Sequence, residues 1–235
     1  KLGINTANAF GTSGTVTIAN KGQLDTANMG VGSMVNRTFY VEGEGPDGRG
    51  AMLNSANTTI NMKTMILTGD ATLGGVGRFD FRASSVGGTC SLHGEDYTLT
   101  IKNTTCLAFC GGNSSLYVNR VVVADGGYFQ PCSDSTGQFS IAAGNVDLVN
   151  GGKLVMWNGN SKTVFTVPVS VTVGEGGGFI LCDANAYNLT GSVHVTNGGT
   201  LTIGKNTGTI AELVVDEGCT VAMPRGAGTF TVGGT

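Results

Sequence analysis

Residues 146–156 read VDLVNGGKLVM, and residues 171–181 read VTVGEGGGFIL. In both, apolar side chains stand at offsets 0, 2, 8 and 10, an Asn or Glu at offset 4, and glycines at offsets 5 and 6. A period of two is the mark of a β-strand with one buried face. An amide or acid followed by glycine marks a tight turn. Eleven residues therefore encode strand, turn, strand. The same frame recurs at 99–109 (LTIKNTTCLAF), 121–131 (VVVADGGYFQP), 193–203 (VHVTNGGTLTI) and 213–223 (LVVDEGCTVAM). The six starts, at 99, 121, 146, 171, 193 and 213, are 22, 25, 25, 22 and 20 residues apart. A partial copy, VTIANKG, occupies 16–22. A third strand is expected in the variable remainder, as at 164–167 (VFTV) and 186–189 (AYNL).

One such unit cannot bury its apolar face, but copies stacked on one another can. The chain is thus expected to be all-β, a parallel β-solenoid with coils of about 20–25 residues spaced about 4.8 Å apart. Six coils make a column of roughly 24 Å. Four inward side chains per coil, each contributing about 2 kcal/mol when buried, offset the cost of ordering the backbone. The reading requires Leu107, Phe129, Leu154, Phe179 and Leu201 to lie one above another. Residues 1–235 form a single domain in this view, with 1–98 less regular and 99–235 clearly repetitive.

Composition agrees. The chain has 235 residues, of which 40 are glycine, 30 Thr, 19 Asn and 14 Ser, while charged residues are only 12%. With 13 basic against 16 acidic side chains there is no basic excess, so no nucleic-acid partner is expected. The 40% apolar content argues against disorder. No apolar run approaches the roughly 18 residues of a membrane helix, and no membrane insertion is expected. The first residues carry no signal-peptide pattern, so residue 1 reads as a mature N-terminus or as a boundary within a longer sequence.

No residue is nominated as catalytic, cofactor-binding or metal-binding. The column Asn103, Asp125, Asn150, Glu175, Asn197 and Glu217 is read as turn chemistry. Calcium is the alternative, but the glycine-aspartate nonapeptide of calcium-binding β-rolls is missing. Six cysteines (Cys90, Cys106, Cys110, Cys132, Cys182, Cys219) fit an extracellular protein and make no zinc pattern. Cys110, Cys132 and Cys182 share offset 11 with Trp157. Cys110 and Cys132 would lie one coil apart, within disulfide reach, and are the best candidate pair. His93 and His194 are far apart in sequence, and His194, at offset 1, should point outward. That column, Thr100, Val122, Asp147, Thr172, His194 and Val214, is no threonine array of the ice-binding kind. In RFDFR, residues 78–82, the charges of Arg78, Asp80 and Arg82 should face outward as a solvated ion-pair ladder, with an anionic sugar as the alternative. Sequons at Asn36, Asn57, Asn103, Asn113 and Asn188 matter only in a glycosylating pathway.

Residues 43–54 (GEGPDGRGAMLN), 67–82 (LTGDATLGGVGRFDFR) and 92–101 (LHGEDYTLTI) resemble the recurring segments of autotransporter-associated β-strand repeat proteins. The resemblance covers about residues 15–175. It implies a right-handed parallel β-helix, export and surface display, with no catalytic residues and no cofactor. The expected function is that of a non-enzymatic secreted or cell-surface protein, a fibre or stalk subunit or an adhesin, located outside the cell. Neither terminus shows a capping helix, so the expected partner is another copy stacked head to tail, with surface glycans as a second class. The alternative is a carbohydrate-binding or polysaccharide-degrading β-helix, which a groove lined by acids and by Trp157, Tyr117 or Tyr187 would favour.

Overall fold

A computed structural model describes residues 2–3, 13–27, 29, 34–82, 88–110, 112–131, 139–157, 165–182, 187–204, 208–223 and 230–232. The described residues hold 22 strands and no helix. Every strand pair is parallel, and each joins a strand to its counterpart one coil away. The chain is a parallel β-solenoid with three faces.

The required column exists. Leu107 pairs with Phe129, Phe129 with Leu154, Leu154 with Phe179 and Phe179 with Leu201. Below Leu107 this third face continues through Phe79 and Ile60. The second face stacks Leu99, Val121, Val146, Val171, Val193 and Leu213. Beside it run Leu2, Leu24, Met52, Leu73, Ile101, Val123, Leu148, Val173, Val195 and Val215. Ten rungs at about 4.8 Å span about 43 Å, nearly twice the expected column, because the less regular N-terminal part joins the same stack. On the first face Val16, Phe39, Met65, Leu92, Leu116 and Ile141 stack at steps of 23, 26, 27, 24 and 25 residues. The expected third strands are there, as Phe165–Val167 and the start of Tyr187–Val195.

From Leu24 to Val195 these columns form one apolar core, with Val16 and Leu213 packed against it. Part of it is an aromatic cluster. Phe109 stacks on Phe81 at 4.9 Å, tilts against Phe139 at 5.0 Å and meets Phe129 edge-on at 6.3 Å.

The turn between second and third face explains the offset-4 column. At each corner the amide of the second small residue donates back to a carbonyl three residues earlier, as from Gly152 to Val149 at 2.9 Å. Asn103, Asp125, Asn150 and Asn197 all have φ between 49° and 59°. Short polar side chains tolerate this left-handed backbone. Glu175 and Glu217 stand at the same position without positive φ, and only the glycine after them is left-handed. The corner thus changes turn type with its residue.

The early copy 16–22 needs a correction. Its Asn20 is left-handed as expected, with φ 55°. Yet Ile18 pairs with Val41 on the first face, while Leu24 pairs with Met52 on the second. This turn therefore serves the preceding corner. A turn motif specifies a bend, and every corner of a solenoid needs one.

Candidate functional site

Two outward regions carry polar chemistry. The first lies on the third face. Alternation on strand Arg78–Arg82 puts Phe79 and Phe81 inside and Arg78, Asp80 and Arg82 outside. The next coil adds Cys106, Ala108 and Cys110 opposite them, and Gln130 follows opposite Ala108. Asp80 is not solvated as the ladder reading expected, being 1% exposed. Arg78 clamps one of its carboxylate oxygens, and Arg82 Nη2 donates to the other at 3.0 Å. Arg78 Nη1 also donates to Gln130 at 2.9 Å. Burial pulls the Arg78 guanidinium down, but the charge and hydrogen bond of Asp80 outweigh it and its pKa rises. Burial pushes the Cys106 thiol up to about 11, against the pull of Arg78. A thiol held protonated is a poor nucleophile and metal ligand. This patch is a closed ion-pair network. Four residues of strand separate Cys106 from Cys110 by about 13 Å, so they share neither a disulfide nor a metal. Cys132, the partner expected for Cys110, lies outside the described residues.

The second region is a groove of about 640 Å³ along the corner between the first and second faces. Tyr117, Asn119, Glu95 and Pro168 stand around a floor that includes Ala142 and Gly144. Tyr117 belongs to an outward column, Tyr40, Ile66, His93, Tyr117 and Ala142. His93 leans on the Tyr117 ring at 5.2 Å and 45°. The Gly144 amide donates to the Asn119 carbonyl at 2.7 Å, and a Cβ on Gly144 would stand 2.8 Å from that oxygen. The floor is low because the coils touch there.

Of the aromatics named for a lined groove, Tyr117 is in one. Tyr187 is not: it is buried in the core, and its hydroxyl donates to the Met156 carbonyl at 2.9 Å. The inward period of its strand places it there. The side chain of Trp157 lies outside the described residues. His194 points outward as expected, Nε2 lying 3.0 Å from Asp216 Oδ1 on the next coil. In the same column Asp147 is covered by Arg120 and Asn145, and Asn145 also donates to Thr172 at 3.1 Å. Among the described residues no three of His, Cys, Asp or Glu gather as metal ligands, and no helix is long and apolar enough to cross a membrane. Sequence reasoning missed the groove, since its signal, Ala142-Ala143-Gly144 at a corner, is merely a run of small residues.

Fold and surface define the class: this is a β-solenoid repeat protein whose outer polar groups pair mainly from coil to coil. Compared with family models, curated proteins and solved structures, the chain matches none.

Proposed function

We propose that the chain is a non-enzymatic, secreted or cell-surface scaffold, a segment of an extracellular fibre, stalk or adhesin. This is the role implied by its resemblance to autotransporter-associated β-strand repeat proteins. The observation that carries the reading is where the outer charges go. Asp80 is consumed by Arg78 and Arg82, Asp147 by Arg120, and Asp216 by His194. Glycosidases need paired carboxylates facing one substrate across a gap. Asp147 and Asp216 instead brace neighbouring coils, and Asp80 is closed off by arginines of its own strand. Antibody labelling of intact producing cells and their medium tests the location, and confinement to the cytoplasm would end the proposal. Release of reducing ends from a polysaccharide panel would reverse the non-enzymatic part.

The same reading extends to self-association. In the last described coil Val215, Val221 and Val232 stand in inward columns yet are 43%, 37% and 46% exposed, whereas Val195 and Leu201 one coil earlier are fully buried. The surface that covers each earlier coil is the next coil. A second copy stacked head to tail offers one. Such contacts do not close and give filaments. Sedimentation velocity should show association that grows with concentration and is lost in Val221→Glu. Monomers alone at high concentration would overturn it.

A further inference from the structure

We infer that the groove over Ala142 and Gly144 binds a short segment of neutral glycan, with the Tyr117 ring as stacking platform and Glu95 and Asn119 as hydroxyl partners. The inference goes beyond the scaffold role, which stands without it.

Shape comes first. The groove crosses the coils of Glu95, Tyr117, Ala142 and Pro168, a length of about 14 Å. With a volume of about 640 Å³ it is an open trough, suited to a ligand that lies along the surface. The low floor is enforced, because the Gly144 backbone lies against the Asn119 carbonyl and no larger residue fits there without displacement.

The chemistry of the rim selects the ligand. A sugar ring offers C–H faces and a hydroxyl rim. Tyr117 presents a broad amphipathic ring at small entropic cost, already braced by His93. The Asn119 amide both donates and accepts, and the Glu95 carboxylate accepts. Glu95 meets His93 Nδ1 at 3.4 Å through Oε1, and its side chain, 69% exposed, keeps its remaining lone pairs open to a ligand.

Charge narrows the class. Glu95 lines the groove and exposed Asp96 follows it, while Arg120, next in sequence to the lining residue Asn119, is engaged by Asp147. Uronates and sulfated glycans are therefore repelled. A peptide strand is not favoured either. Strand addition needs a free sheet edge, and here the backbone of Asn119 and Gly144 is already paired between coils. Glu95 is the one carboxylate among the described lining residues, and the inference is one of binding.

The test uses the full chain with four probes: cellotriose, maltotriose, chitotriose and trigalacturonate. Saturation-transfer NMR should show binding of at least one neutral trisaccharide and none of trigalacturonate. Tyr117→Ala should weaken that binding about tenfold, the loss of one stacked ring. Ala142→Arg, which fills the groove from an exposed outward position, should abolish it. Circular dichroism of both variants should match the parent, and should one misfold, the other decides. Failure of all three neutral probes, equal binding by the folded variants, or preference for trigalacturonate would each overturn the inference.

Discussion

Thr104 is the residue least suited to its place. Its φ is 63°, at a corner where the other coils use glycine. A β-branched side chain in the left-handed region costs about 1–2 kcal/mol. Thr104→Gly should therefore stabilise the chain by about 1 kcal/mol in urea unfolding, and an unchanged or lower midpoint would refute the strain. A second residue-level expectation concerns pH. Burial pushes the Cys90 and Cys106 thiols from 9.0 up to about 11. The folded chain thus holds these protons more tightly than the unfolded one. Their stabilising contribution is complete below about pH 9 and is lost as pH rises through about 11. At pH 8 native Cys106, which is half-buried, should react with iodoacetamide more slowly than in the denatured chain, and equal rates would show that the fold does not hold its thiol protonated. The offset-4 column was legible in the sequence at this scale, because a turn's demand for Asn, Asp or Gly is local. The burial of Asp80 was not, since its cover comes from Arg78 and Arg82 folding over it and from a neighbouring coil.

For the elements, spacing between coils is set by glycine as much as by apolar packing. Gly152 follows the turn glycine, and a Cβ there would come 1.9 Å from the Val123 carbonyl oxygen of the coil before. The clash is with backbone, so no rotamer relieves it. Gly152→Ala should cost at least about 3 kcal/mol, near the upper end of overpacking penalties. Thermal unfolding measures it, and a loss under about 1 kcal/mol would mean that the coils can part more easily than described. The pairing register of these strands was readable from periodicity, because a slip of one residue would turn every apolar side chain outward. The corner served by residues 16–22 was not readable, because strand and turn look alike at all three corners.

Taken as a whole, the molecule is a one-dimensional stack, and each coil rests only on its neighbours. A substitution should then cost according to its position along the column. Phe129 is fully buried mid-stack between Leu107 and Leu154. Phe129→Ala should cost about 3–5 kcal/mol. Val221, in the same column but 37% exposed, should cost less than about 1 kcal/mol when changed to Ala. Equal losses, measured by denaturant midpoints, would contradict a stack of nearest-neighbour coils.

By itself the amino-acid sequence determined the coil, its length, its inward columns and its turn residues. All of these repeat within the reach of two dozen residues, and period-two apolarity is enforced by burial at every rung. Only the tertiary structure decided that Asp80 is sealed rather than solvated, with a neighbouring coil completing its cover, and that small residues at one corner open a groove beside Tyr117. These depend on what the coils above and below present at one height. Coils of unequal length shift that juxtaposition in ways no single repeat records.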